Sequence, residues 1–458
     1  MPRSYFTLFC RFAIVFSFMV GRARAATTYD LRPDGSPKTV RVQAQLDVGG
    51  DVKLVEEGKN RTLKLSVSAQ IHYDERRLLV RNAEPGTSRS VRLYRQARAE
   101  IKIGEEGVRP MLRESRRLMV SDEAEQRVAL FSPAGPLTRE ELDLIDIPAN
   151  SLLLDRLLPS QPVEIGQRWR HDDALLAKLL GLDAVSQSDV QSELKEVAGN
   201  RAKIELAGRL LGAIGGVSTE IEIKAKYRFD LNRRQVTGLG LLVKENRGIG
   251  LVNTGLDVVA KLQLALAPTA DDGELSDTAL AQLPLEPRPE FLALECDSPA
   301  KKFRIFHNRD WHLMADAGDL LALRYLDRGE LVAQCNISSL ADVEPGKQPS
   351  LAEFQHDLEH SLGKTFERFL AATEATNSLG QHIYRVVAEG RVSDLAIQWH
   401  YYLIANRDGQ LAVFAFTVES ALAERLGDAD EALAATIEFA ARPTARKPTP
   451  AGARVSRR

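Results

Sequence analysis

The sequence predicts a mainly β protein, in which a large antiparallel sheet is followed by a smaller α+β domain. The first observation is an alternation of apolar and polar residues with period two, which continues for about 12 residues in several segments. The second is that short strand patterns and helix patterns alternate after residue 290. A chain of 458 residues is too long for one hydrophobic core, which agrees with a division into domains.

The first 25 residues have the layout of a secretory signal peptide. Arg3 and Arg11 supply positive charge without any acid, an apolar run follows at 12–20, and Ala23 and Ala25 are small residues of the kind that signal peptidase recognises. The apolar run is too short to cross the ~30 Å hydrocarbon core of a membrane. We therefore expect cleavage of residues 1–25 and a mature protein that is periplasmic or secreted.

Composition excludes some classes of partner. Loss of the four arginines of the signal peptide changes the net charge from −2 to about −6, so no positive excess remains to neutralise phosphates and nucleic-acid binding is not expected. No other apolar segment approaches 18 residues, so we expect no transmembrane helix in the mature chain.

Residues 26–266 are predicted to form the antiparallel β-rich domain. Apolar residues recur with period two in three segments, Leu63–Tyr73, Val91–Ile103 (except at Arg95) and Ile221–Leu231. Because side chains alternate across a strand, each segment is expected to have one buried and one solvent-exposed face. Strands of this length suit a strongly twisted sheet or an open barrel. Turns are expected at three places: Gly49-Gly50, Gly199-Asn200 and Asn232-Arg233.

A helical insert is expected at about 138–181. Thr138 and Glu141 have the spacing of a capping box, a second short helix is predicted for Leu152–Leu158, and a third for Asp172–Leu180. We expect these helices to cover the apolar face of the sheet. The space between helices and sheet is either a filled core or a cavity for an apolar ligand, and the sequence leaves both possibilities open.

Two segments have the composition of irregular structure. Residues 267–290 contain four prolines and a cluster of acids with little apolar periodicity, which predicts an exposed linker. Residues 442–458 contain three prolines and five arginines and almost nothing that could pack, which predicts a disordered basic tail.

Residues 291–441 are predicted to form the α+β domain. Strands are expected at 303–306, 311–314, 320–326, 331–337, 381–389, 395–405 and 410–418. Asp408-Gly409 predicts a hairpin between the last two strands. A helix is expected from Ser350 to about Phe369, and a closing helix from Asp430 to Phe439. Strands with one interposed and one final helix indicate an antiparallel sheet with helices on it.

The order of these elements resembles the PsbP-like domains, including the exported bacterial members of the LpqN and DcrB type. The resemblance is carried by Phe303-x-Ile305, Trp311, the hairpin 320–337, the amphipathic helix around Phe354, and Phe414-x-Phe416. It covers about a third of the chain and implies an α+β sandwich, an exported setting and a non-enzymatic accessory or binding role, with no catalytic residues. Residues 26–266 resemble only uncharacterised exported bacterial β-rich proteins.

One motif could carry chemistry. His356, Glu359 and His360 match H-x-x-E-H, in which two histidines of one helix hold zinc and the glutamate is the general base. At 100° per residue, however, both histidines fall on the side opposite the apolar residues, among charged neighbours. We therefore expect a solvent-exposed face here and keep a metallopeptidase as the less favoured alternative. Gly238-x-Gly240 does not complete a dinucleotide-binding G-x-G-x-x-G pattern.

Cys296 and Cys335 are the cysteines that remain after cleavage. Export to an oxidising compartment allows a disulfide between them, and two buried thiols are the alternative. Taken together, the sequence predicts an exported, non-enzymatic binding or accessory protein of the bacterial cell envelope, with no cofactor or metal assigned. Its partner would be an envelope protein or a small apolar ligand. A carrier or sensor of an apolar ligand in the β domain is the first alternative, and a hydrolase is the second.

Overall fold

Two antiparallel sheets account for most of the protein, which has 56% of its residues in strands and 17% in helices, as the predicted fold class requires. The computed structural model describes residues 27–35, 39–56, 58–78, 88–123, 128–270 and 273–441. The predicted signal peptide (1–25) and basic tail (442–458) lie outside the described residues. Within the described ranges, no helix is long and apolar enough to cross a membrane.

The strands of the first region are β1 (Thr28–Tyr29), β2 (Thr39–Glu56), β3 (Lys59–Leu78), β4 (Arg89–Ile103), β5 (Glu106–Val108), β6 (Leu118–Glu123), β7 (Val128–Phe131), β8 (Leu137–Thr138), β9 (Val163–Glu164), β10 (Arg168–Arg170), β11 (Ala184–Ser188), β12 (Gln191–Ala198), β13 (Arg201–Ile214), β14 (Val217–Asp230), β15 (Gln235–Arg247) and β16 (Gly255–Pro268). Thirteen of them form one sheet, whose order is β10-β12-β13-β14-β15-β16-β2-β3-β4-β6-β7, with β11 on β13 and β5 on β4. In the part of the chain that the structure describes, the two ends of this order do not pair, so the sheet is open.

The strands of the second region are β17 (Leu294–Ser298), β18 (Phe303–His307), β19 (Trp311–Ala317), β20 (Leu320–Asp327), β21 (Glu330–Ser339), β22 (Phe366–Thr376), β23 (His382–Val392), β24 (Leu395–Ala405), β25 (Leu411–Glu419) and β26 (Glu438–Phe439). They form a seven-stranded sheet, β19-β20-β21-β25-β24-β23-β22, and a four-stranded sheet, β26-β18-β17-β8. The helices are α1 (Arg139–Ile145), α2 (Asp173–Leu180), α3 (Asp277–Leu280), α4 (Pro289–Leu292), α5 (Leu351–Leu362), α6 (Ala423–Leu426) and α7 (Ala429–Ala434).

The alternation predicted for β3 is present, but the prediction for β4 is wrong in its first half. The register of β3 and β4 shifts between His72 and Tyr73, so that Arg95 forms a bulge. One extra residue reverses the face of every side chain beyond it. Val91 and Leu93 therefore face away from the main core and pack in a separate cluster, whereas Arg92 faces the core.

Gly49 and Gly50 were expected to form a turn, and they lie instead inside β2. Gly50 has φ +151°, and a Cβ atom there would lie 2.2 Å from the carbonyl oxygen of Asp257 in β16. The glycine pair thus marks the close approach of two strand backbones. The turns predicted at Gly199-Asn200 and Asn232-Arg233 join β12 to β13 and β14 to β15.

The helical insert is confirmed. Thr138 and Glu141 form the predicted capping box at the start of α1, a 3₁₀ helix spans Ser151–Leu157, and Asp172 caps α2. Most of the buried leucines of the three helices belong to one continuous hydrophobic cluster with the apolar face of the large sheet.

This core contains an ion pair between β3 and β4. Glu75 and Arg92 are 0% and 2% exposed, and Arg92 Nε lies 2.7 Å from Glu75 Oε1. Ser90 and Ser151 donate their hydroxyls to the same carboxylate at 2.8 and 2.7 Å. Burial alone would raise the pKa of Glu75, but the Arg92 and Arg77 guanidinium groups and the bond from Ser151 outweigh burial and lower the pKa. The pair thereby attaches the 3₁₀ helix to the sheet.

The segment 267–290, predicted to be an exposed linker, packs on the large sheet in its described part. Leu275 and Leu280 are buried against Val91 and Leu93, the two residues that the β4 bulge turns outward. Arg89 donates two hydrogen bonds to Glu286, at 2.7 and 3.0 Å. The proline and acid content of this segment predicts an exposed linker, but its two leucines cover a second apolar surface of the large sheet.

The strands of the second region lie close to their predicted positions, but both of its predicted helices are too long. The helix predicted for Ser350–Phe369 ends at Leu362, before Gly363 with φ +53°, and Phe366–Thr376 forms β22 instead. The closing helix predicted for Asp430–Phe439 is the shorter α7. The hydroxyl of Thr436 bonds back to the Leu433 carbonyl, and the chain then leaves the helix to pair with β18 as β26.

Cys296 and Cys335 are thiols buried in the core of the second region. Burial raises the pKa of Cys296 to about 11 and also raises the pKa of Cys335. The structure therefore has two separate thiols at Cys296 and Cys335, and not a disulfide between them.

Candidate binding cleft between the two regions

The H-x-x-E-H motif does not form an enclosed site. His356, Glu359 and His360 are exposed on α5, while Phe354 and Leu358 face the sheet. This is the orientation that the helical periodicity predicts. Over the described ranges of the chain, no group of three or more histidine, cysteine, aspartate or glutamate side chains lies close enough to hold a metal ion.

An apolar cleft of about 760 Å³ lies where the second region meets β7. Its walls are β7, α4, the segment 306–311 and α7. Most of its lining residues are apolar: Ala129, Pro136, Pro289, Leu292, Ala293, Phe306, Trp311, Leu379, Ala429, Ala432, Leu433 and Ala435. Because the walls come from both regions, the cleft exists only when the two are joined.

A parallel strand pair joins the two regions beside the cleft. Leu137 of β8 is the register partner of Leu294 of β17, and Leu294 is fully buried in the core of the first region. Arg113 spans the same junction, with its guanidinium 2.7 Å from Glu141 and 2.9 Å from Glu295. The shared core and the double ion pair hold the walls of the cleft in a fixed relation.

Arg309 ties two of the walls together. Its Nε donates to the carbonyl of Leu292 at 3.1 Å, and its Nη2 donates to the carbonyl of Leu130 at 2.5 Å. Next to it, the rings of Phe131 and Phe291 are stacked, with their centroids 6.1 Å apart. The ends of β7 and α4 are thus held by one charged side chain and one aromatic pair.

The cleft lining also contains polar residues: Glu290, His307, Asn308, Arg309, Asp310, Thr436 and Glu438. The imidazole Nδ1 of His307 lies 2.8 Å from the Asn308 carbonyl, and the Asn308 side chain accepts hydrogen bonds from the backbone N–H groups of Asp310 and Trp311. Burial lowers the pKa of His307 against the opposing effect of its backbone hydrogen bonds, so the imidazole is neutral at pH 7. His307 therefore adds a polar group to the lining without adding charge.

The helix α7 forms one wall of the cleft and is held in place by hydrogen bonds to Asp430, on the side away from the cleft. Asp430, which is 1% exposed, accepts hydrogen bonds from His400 Nδ1 at 2.6 Å and from the Tyr402 hydroxyl at 2.8 Å. Burial alone would raise the pKa of Asp430, but these two bonds outweigh burial and hold the pKa below its usual value. Ala432, on the opposite side of α7, is exposed and lines the cleft.

The structure brings together residues that are far apart in the sequence. Trp311, one of the residues that carry the resemblance, is buried between Tyr325 and Phe416. His400 lies in β24, and its bond to Asp430, 30 positions later, has no local sequence signal. The available signal is the spacing of His400 and Tyr402, which places both on one face of the strand.

Comparisons with known proteins give no family. No family model matches the sequence, and no curated protein is similar to it. Cyanobacterial PsbP from Synechocystis sp. PCC 6803 is a weak structural neighbour, with 12% identity, a TM-score of 0.26, and coverage of 32% of this chain and 92% of that chain. DynF of the dynemicin biosynthesis pathway of Micromonospora chersina has 6% identity and a TM-score of 0.16 over 54% of this chain and 86% of its own. An outer membrane channel from Pseudomonas putida F1 has 8% identity and a TM-score of 0.16 over 85% of this chain and 97% of its own. These likenesses are too weak to assign a family or a function.

Proposed function

We propose that the protein is an exported, non-enzymatic binding protein of the bacterial cell envelope that takes a small apolar ligand in the cleft between its two regions. The apolar lining of the cleft is the observation that carries this proposal. Its volume of about 760 Å³ falls within the usual range for small-molecule sites, which commonly lie at domain junctions.

The rigidity of the walls supports ligand binding. Arg113 and Arg309 fix the junction, and Asp430 fixes α7, so little order has to be imposed when a ligand enters. A preformed site loses less conformational entropy on binding than a mobile one. Export rests on the layout of residues 1–25, and a PsbP-like classification of 291–441 rests on the order of its elements.

The cleft is preferred to a site beneath the helices of the β domain, where the notable feature is tight packing. Leu153, Leu176 and Ile223 are each fully buried in the continuous cluster between helices and sheet. The proposed ligand is therefore apolar, as in the carrier alternative, but its site is the cleft at the junction of the two regions.

The test is a titration of the mature protein with 1-anilinonaphthalene-8-sulfonate, whose fluorescence rises in an apolar site. Ala432→Phe places a ring in the cleft from an exposed position of α7, and we expect it to weaken binding at least tenfold. Ala421→Phe makes the same change at an exposed position outside the lining and should bind as the wild type does.

Thermal unfolding of both variants shows whether each is folded. Absence of binding by the wild-type protein, or equal binding by a folded Ala432→Phe protein, would contradict the proposal. Peptidase activity that disappears in His356→Ala would instead support the hydrolase alternative.

A further inference from the structure

We infer that the solvent-exposed face of the large sheet carries a second binding site, for an acidic oligosaccharide. A groove of about 900 Å³ crosses this face from β12 and β13 to β3. Its volume exceeds that of the apolar cleft, and its lining is dominated by amides and charges. The site is independent of the proposed apolar ligand.

Strand register places the groove residues in two parallel rows. One row runs Lys203, Arg228, Gly238, Ala265, Gln43, His72, and the other runs Glu205, Lys226, Gly240, Gln263, Gln45, Gln70. The β13 and β14 side of the groove thus carries three cations, Lys203, Lys226 and Arg228, and the anion Glu205. Gly238, Gly240 and Ala265 leave the middle with little or no side chain, and the β2 and β3 side carries Gln43, Gln45, Gln70 and His72. Three strand spacings, ~14 Å, separate the cationic strand β14 from the amide strand β2.

The middle of the groove is bare backbone at Gly240, and packing does not explain this glycine. Gly240 has an ordinary strand conformation, and a Cβ atom built there would meet nothing within 4 Å. Glycine inside a strand is destabilising by about 0.5–1 kcal/mol relative to alanine. A glycine in such a place is typical of a surface that a ligand approaches closely, so Gly240 is part of a floor for a flat ligand. Gly238 differs, because a Cβ atom there would lie 3.1 Å from the Leu264 carbonyl oxygen.

The charged side of the groove is suited to a carboxylate. Lys203 and Lys226 form ion pairs with Glu196 and Glu205. Arg228 is the register partner of Lys203 and lies two positions after Lys226 in β14. Among the described residues, the guanidinium of Arg228 has no ion-pair partner. It extends over Gly238, with Nη2 2.9 Å from the position of a Cβ atom there. A planar guanidinium binds carboxylates in a bidentate manner.

The amide side of the groove, on β16 and β2, is suited to hydroxyl groups. Gln43 and Gln263 are exposed, and within the described ranges their side-chain amides have no protein partner. An amide both donates and accepts, as a sugar hydroxyl does, and several amides in a row can bind successive hydroxyls. With four cationic and two anionic lining residues, the groove is a positive area on a chain of net charge −2. An oligomer that bears carboxylates and many hydroxyls satisfies both sides.

The experiment is isothermal titration calorimetry of the mature protein with a galacturonate trimer, and with the neutral galactose trimer as the matched ligand. We expect the acidic trimer to bind at least tenfold more tightly. Gly240→Val should reduce this binding at least tenfold, because it fills the floor where there is room for the side chain. Arg228→Gln should remove the preference for the acidic trimer.

Ser66→Val is the control, since it places the same side chain on the exposed face of β3 outside the groove, and it should bind as the wild type does. Ala432→Phe should also keep trimer binding, which separates this site from the apolar cleft. Absence of binding by the wild-type protein, equal binding of both trimers, or unchanged binding by folded Gly240→Val would each overturn the inference.

Discussion

Replacement of Arg92 by methionine tests the buried ion pair most directly. The change removes the guanidinium that lies 2.7 Å from Glu75 and leaves a carboxylate that is 0% exposed. Loss of one partner from a buried pair costs about 3–5 kcal/mol. Ser90 and Ser151 still donate to the carboxylate in this variant. We therefore expect Arg92→Met to lower the free energy of unfolding by about 3 kcal/mol, the lower end of this range.

The measurement is urea unfolding followed by circular dichroism at pH 7. Arg95→Met is the matched control on the same strand, because half of the Arg95 side chain is exposed and its buried partner Asp74 keeps the ion pair with Arg41. An ion pair with a solvent-exposed partner contributes roughly 0–1 kcal/mol, so this control should cost much less than Arg92→Met. The double change Glu75→Gln with Arg92→Met should cost less than the two single changes added together, since no buried charge remains. A cost of Arg92→Met below about 1 kcal/mol, or equal to that of Arg95→Met, would refute the reasoning.

Three further predictions follow from burial. Leu280→Ala should lower the free energy of unfolding by about 2 kcal/mol, because Leu280 is buried against β4, whereas an exposed linker residue would leave it unchanged; urea unfolding distinguishes the two. Cys296 and Cys335 should not react with a thiol reagent in the folded protein and should yield two thiols after unfolding without reductant, because burial raises both pKa values; fewer than two would show a disulfide. Stability should fall as pH drops below the usual histidine range, since burial lowers the pKa of His307, and fall again below the usual carboxyl range, where the stability contributed by the lowered pKa of Asp430 is lost; Asp430→Asn should show a smaller second fall in the urea midpoint.

Local patterns in the sequence were sufficient for most of the elements. The alternation at Leu63–Tyr73 predicts β3, and the capping residues Thr138 and Glu141 predict the start of α1. The bulge at Arg95 could not be predicted in this way, because one unpaired residue leaves the apolar spacing on either side intact. The helix predicted for Ser350–Phe369 failed because the three-residue spacing of Phe366 and Phe369 fits a helical stripe and not a regular strand. In β22 the register shifts between Phe366 and Arg368, and the two rings lie 4.7 Å apart, which the sequence does not indicate.

The two candidate sites were hidden from the sequence for a different reason. The cleft combines β7 with α7, about 300 positions apart, and no periodicity relates such residues. The groove depends on register, since Arg228, Gly238 and Gln43 become neighbours only when β14, β15, β16 and β2 pair in order. The spacing of Gly238 and Gly240 can be read from the sequence, but their position in the groove depends on how β15 pairs with β14 and β16.

The small sheet β26-β18-β17-β8 has a consequence for folding. Its edge strands, β8 and β26, come from residues 137–138 and 438–439, so the sheet cannot be completed until both regions are present. Pairings of such long sequence separation form slowly, and the second region depends on the first for the edge strand β8. We therefore expect one cooperative unfolding transition for the whole chain. A fragment limited to 291–441 would keep β17 with an open edge, the kind of edge that pairs with other chains and leads to aggregation.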